Sequence, residues 1–140
     1  MGTIEIFDHT ADVGLQIRAN DLPDLFRTAA EGLFDYIVAN REAVAIVEND
    51  TITLTSDSTA NLLVGWLNEL IFRSETQHVL FNHFNVAISG DGLLLEATIG
   101  GEPIDRDRHI LDHEVKAVTH HGISLEHDGA MWVAEVILDI

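Results

Sequence analysis

The apolar positions of this chain change period several times, and each change marks an element. Ile4 to Phe7 form a short strand-like run. Val13, Leu15, Ile17 and Ala19 then alternate with Gly14, Gln16 and Arg18, the period of two that half-buries a β-strand. Asn20-Asp21-Leu22-Pro23 opens a helix, with Asn20 or Asp21 as its cap and Pro23 tolerated in the first turn. Leu22, Leu25, Phe26, Ala29, Leu33, Tyr36 and Ile37 fall on one helical face, which predicts a helix ending near Val38. Ala43 to Val47 and Thr51 to Thr55, joined by Glu48-Asn49-Asp50, read as a hairpin. Ser56-Asp57-Ser58 caps a second helix. Its apolar face is Leu62, Leu63, Trp66, Leu67, Leu70 and Ile71, and its end is near Ser74.

The second half alternates again. Phe84, Val86 and Ile88 lead through the turn Ser89-Gly90-Asp91-Gly92 to Leu93, Leu95, Ala97 and Ile99. From Gly100-Gly101-Glu102-Pro103 to His113 the chain is irregular and polar, the longest candidate loop. Val115 to Thr119, Ile123 to Glu126 and Trp132 to Leu138 close the chain as strands, with His127-Asp128-Gly129 turning the last pair. A strand, a helix and a strand pair recur twice. The expected class is α+β, with two amphipathic helices covering one or more mostly antiparallel sheets.

Composition narrows this. Apolar residues make up 46% of the 140, enough for a core, and no stretch reads as a linker, so one domain over residues 1–140 is expected. No run of about 18 apolar residues occurs, so no membrane span is expected. Met1-Gly2-Thr3-Ile4-Glu5 has no basic region followed by an apolar stretch, so no secretory signal is expected. The absence of cysteine excludes disulfides, thiol catalysis and cysteine zinc sites, and fits a reducing cytoplasm.

Charge changes the picture more. There are 24 acids against 7 bases, a net charge of −17, and Lys116 is the single lysine. Such a surface repels phosphate backbones, so direct, extensive nucleic-acid binding is not expected. Two readings of the acidity stand side by side: attraction to a basic protein surface, and solubility in high salt.

The candidate chemistry lies at the two ends. Phe7-Asp8-His9-Thr10-Ala11-Asp12-Val13-Gly14-Leu15 is the densest polar cluster beside a strand, and Ile137-Leu138-Asp139-Ile140 closes the sequence with an α-carboxylate. If the two strand ends meet, Asp12, Asp139 and the carboxylate of Ile140 crowd three negative groups together. Such a cluster needs a cation, protonation or separation, and hard divalent cations prefer oxygen ligands. The competing readings are a capped turn, in which Asp8, Thr10 and Asp12 satisfy local amides, and a solvated chain end at Asp139. His109 and His113 have the four-residue spacing of a helical zinc pair, but their surroundings are loop-like and no HExxH is present. His120 and His121 are adjacent and face opposite sides of a strand, so they cannot share one ion and read as core or surface histidines. No GxSxG or phosphate loop occurs. Asp12 and Asp139 can also be read as the acid–base pair of a glycosidase or of a metal-dependent phosphoesterase.

The Phe7–Leu15 block belongs to a larger pattern. With it stand Leu25-Phe26, Ala29-Ala30 and Leu33-Phe34 of the first helix, Trp66-Leu67-Asn68-Glu69-Leu70, Val115-Lys116-Ala117-Val118-Thr119-His120-His121-Gly122, and Val136-Ile137-Leu138-Asp139-Ile140. Together these five separated blocks resemble the archease family in the same order over nearly the whole chain. The resemblance implies an archease-like fold and a non-catalytic role. The protein would be a cofactor of the GTP-dependent RNA ligase of tRNA splicing, promoting guanylylation of the ligase's active-site histidine and multiple turnover. It also implies a bound divalent cation, calcium in the family, held by the positions matching Asp12, Asp139 and Ile140. Magnesium or manganese would suit the same oxygen donors. A chaperone-like interaction module remains the rival class.

Overall fold

The computed structural model describes residues 2–9 and 12–140, and of Asp8 and His9 the backbone only. Thr10, part of the capped-turn reading, lies outside the described residues. Strand β1 (Thr3–His9) pairs antiparallel with β2 (Asp12–Ala19), and β2 pairs with β7 (Trp132–Asp139). β6 (Ala117–His127) pairs with β7 and completes a four-stranded sheet of order β1-β2-β7-β6. The second sheet has the order β3-β5-β4, built from β3 (Glu48–Thr55), β5 (Leu94–Pro103) and β4 (Val79–Ile88). All these pairings are antiparallel, and the two helices make the class α+β.

Helix α1 (Leu22–Ile37) is capped by Asp21, whose carboxylate accepts from the Asp24 N–H at 2.8 Å, and it ends at Val38. Helix α2 (Thr59–Gln77) is capped by Ser58, which accepts from the Asn61 N–H at 3.1 Å. Both starts are the local side-chain-to-amide bonds that the sequence predicts. α1 lies against β2 and β4, and α2 against β6. Leu15, Ile17 and Ala19 of β2, with Ala134, Val136 and Leu138 of β7, meet the apolar faces of both helices in one continuous core. Trp66 is fully buried there. Its indole N–H donates to the Phe26 carbonyl at 3.0 Å, which ties α2 to α1 without leaving a polar atom unpaired.

Four expectations are corrected. The hairpin over 43–55 does not form. Arg41–Ala43 is a 3₁₀ turn, and Glu48, Asn49 and Asp50, read as a turn, are the first residues of β3. β3 pairs instead with β5, Thr51 opposite Thr98. The segment Gly100–Pro103 is strand rather than loop. Gly101 belongs there because a β-carbon on it would lie 1.8 Å from the Leu80 carbonyl oxygen, beside the bulge in β4 between Phe81 and His83. The two short strands around Gly122 are one bulged strand, β6, with Gly122 at a φ of 79°. The predicted recurrence does not yield matching units, since a hairpin follows α2 but only β3 follows α1.

Candidate metal centre

The register of the first sheet decides where the predicted site residues fall. Val13 is opposite Leu138 and both are buried on the core face. Continuing that antiparallel register by one residue sets Asp12 opposite Asp139, on the face turned away from the core. β1 places His9 opposite Asp12, and β6 places Ala117 opposite Asp139. One row across the end of the sheet therefore reads His9, Asp12, Asp139, Ala117. Asp12 is half-buried, Asp139 is exposed, and Ile140 is 42% exposed just beyond it.

The next row explains the setting of these acids. It reads Phe7, Gly14, Ile137, Thr119 on the same face. The Phe7 ring lies across Gly14, where a β-carbon would come within 2.2 Å of it. Ile137 is 4% exposed, beneath the bulge at Gly122. The strand ends that carry Asp12 and Asp139 thus lie beside an apolar shelf. Like charges directly opposite in a sheet repel, and an apolar backing weakens solvent screening of that repulsion. The same backing strengthens attraction to a cation between them.

Backbone contacts hold the row in place. The Lys116 N–H donates to the Asp139 carbonyl at 2.8 Å. One residue on, the Asn68 side chain grips the free edge of β6: its amide N–H donates to the Val118 carbonyl at 2.9 Å, and its oxygen accepts from the Val118 N–H at 2.8 Å. Asn68 lies in the Trp66–Leu70 block and is a positioning residue that spacing alone does not single out.

Among the described residues, no group of three or more His, Asp or Glu side chains is gathered to hold an ion. The row supplies two carboxylates, so a hard cation would need main-chain oxygen of Ile140 as a further donor. Oxygen-only donors of this kind fit calcium, magnesium or manganese and do not suit a softer metal.

The histidine pair is excluded as a zinc site. His109 is 3% exposed and both its ring nitrogens are engaged. Nδ1 accepts from the Asp105 N–H at 2.9 Å, leaving Nε2–H for Glu102 at 3.0 Å. His113 is exposed and stacks on Tyr36, the ring centroids 4.1 Å apart and the planes 8° from parallel. The partner of His109 is Glu102, itself buried, which also accepts from Arg108 and from the Ala45 N–H at 2.5 Å. These bonds hold the Glu102 carboxyl down at about 2. The network pins the strap from Ile104 to Lys116 against β5. His120 and His121 are both exposed.

Among the described residues, no helix is long and apolar enough to cross a membrane.

Comparison with known proteins agrees with this architecture. The profile of the Archease protein family matches residues 4–140. The chain is 37% identical to a protein archease of Methanothermobacter thermautotrophicus over 142 aligned positions, covering 100% of each chain. It is 36% identical to that of Methanopyrus kandleri over 138, covering 97% of this chain and 98% of the relative. Among solved structures, protein 1598 of Methanobacterium thermoautotrophicum superposes with a TM-score of 0.79 at 34% identity, covering 98% of each chain. An archease of Thermotoga maritima, described as a possible chaperone, gives 0.67 at 19% identity, covering 96% of this chain and 94% of that one, a likeness of fold.

Proposed function

The chain belongs to the Archease protein family, and from that premise we propose that it is a non-catalytic activator of the GTP-dependent RNA ligase of tRNA splicing. In this reading it promotes guanylylation of the ligase's active-site histidine and supports multiple turnover. The observation that carries the reading is the antiparallel pairing of β2 with β7 as far as Val13 opposite Leu138, next to which Asp12 and Asp139 follow on the neighbouring strand ends. A divalent cation held there by the two carboxylates and an oxygen of Ile140 would supply positive charge for a nucleotide phosphate. Calcium is the first candidate, with magnesium or manganese as substitutes.

The chain's own residues account for the rest. Asp12 and Asp139 hold the donor oxygens at an exposed sheet end, where a partner can reach them. Phe7 and Ile137 keep the ground behind them apolar. The Lys116 amide and the Asn68 clamp fix the β6 and β7 backbones on which Asp139 rides. The acidic surface favours encounter with a basic ligase surface and disfavours direct RNA binding.

The test is guanylylation of the cognate ligase with and without this protein, under multiple-turnover conditions. Stimulation supports the reading. A chaperone-like module would instead protect unrelated aggregating proteins whatever stands at position 12, and a phosphoesterase would turn over phosphate esters with no ligase present. Either result without ligase stimulation overturns it.

A further inference from the structure

A groove of about 420 Å³ opens where the C-terminal ends of α1 and α2 meet the strap between β5 and β6. Its floor is aliphatic: Ile37, Ile71, Leu80, Ile104, Leu111 and Val115. Its rim carries three acids, Glu75, Asp112 and Glu114, with one arginine, Arg106, and two histidines, His78 and His113, the latter 3.3 Å from the Asp112 carboxylate. Among the described residues, Glu75, Arg106 and Glu114 make no ion pair. The walls are preformed. The Asp112 N–H donates to the Ile37 carbonyl at 2.9 Å, the Ala39 N–H to the Ile110 carbonyl at 2.8 Å, and the Ile104 N–H to the His78 carbonyl at 2.9 Å.

His78 closes one end of the groove. It caps α2 with a φ of 56° and a ψ of 49°, the left-handed conformation that glycine adopts without steric cost. It is the one non-glycine residue with a positive φ among the described residues, and it is one of the groove's lining residues. This conformation ends α2, the His78 N–H donating to the Ser74 carbonyl.

We propose that this groove docks a basic, aliphatic peptide segment of a partner protein. An aliphatic floor selects aliphatic anchors, and a rim of three acids to one arginine selects flanking lysine or arginine. An anionic ligand would meet repulsion from that rim. Phe72 and Ile110, each 61% exposed, stand next in sequence to the lining residues Ile71 and Leu111. The proposal is separate from the ligase reading, because the groove uses neither Asp12 nor Asp139.

The test is an NMR titration of the full chain with three short designed peptides: leucine with lysine, leucine with glutamate, and serine with lysine. The leucine–lysine peptide is expected to shift the amides of Ile71, His78, Ile104, Leu111 and Val115. Reversing the rim with Glu75→Lys and Glu114→Lys should weaken it by about tenfold or more. Both positions are exposed, so the fold should survive. Equal binding of the serine–lysine peptide would mean that net charge alone is at work. Equal binding of the leucine–glutamate peptide, or shifts confined to other surfaces, would likewise overturn the proposal.

Discussion

Glu102 shows how one carboxylate can organise a segment the sequence presents as loop. The Ala45 amide, and then the Arg108 guanidinium, lower its carboxyl from the usual 4.5 to about 2, against the opposing effect of burial. A carboxyl depressed by folding adds stability above its unfolded value, and that stability is lost as pH falls toward the folded value. Urea unfolding should therefore show the wild type losing stability between about pH 5 and pH 2 more steeply than Glu102→Gln. Parallel pH profiles would show that Glu102 carries no such linkage. At this scale the sequence is legible where chemistry is local. Asp21 and Ser58 are readable as caps because each bonds an amide three residues on. His109 is not: its loop-like surroundings argue against a zinc pair with His113 but do not reveal that its ring is consumed by Glu102 and the Asp105 amide. Nothing in the sequence around Glu102 announces a buried acid.

Among the elements, the helices and the β4–β5 and β6–β7 hairpins are readable because their periods and turns are contiguous in sequence. β3 is not. Its partner lies in 94–103, and Glu48-Asn49-Asp50 has the composition of a turn while forming the start of an edge strand. Gly100 and Gly101 read as loop for the same reason, although the contact of Gly101 with the Leu80 backbone requires glycine within the strand. The β6 edge depends on Asn68, which replaces a missing neighbour strand at Val118. Asn68→Ala should cost about 1–3 kcal/mol by leaving the Val118 amide and carbonyl without their partner. The Val118 amide should then exchange faster with deuterium. Unchanged exchange at Val118 would show that the clamp contributes nothing.

For the whole molecule, two distant stretches of sequence supply adjacent strands, and the β2–β7 register, which runs as far as Val13 opposite Leu138, brings the strand ends that carry Asp12 and Asp139 side by side. That meeting is legible because both stretches carry strand patterns that run up to an acid. The apolar shelf of Phe7 and Ile137 behind them is not, since it needs the register and the β6 bulge. Nor is the groove, which draws on both helix ends and the strap. If the acids hold a cation, free calcium at roughly a hundredfold above its dissociation constant should stabilise the protein by about 2.7 kcal/mol. Asp139→Asn should lose most of that gain in a thermal unfolding series against chelator. The most direct measurement is the rate of ligase guanylylation in the presence of Asp12→Ala protein whose fold is intact by circular dichroism. The account predicts a fall of at least about tenfold in stimulation relative to wild type, as expected when roughly 1.4 kcal/mol or more of stabilisation is removed. Stimulation at the wild-type level would contradict it.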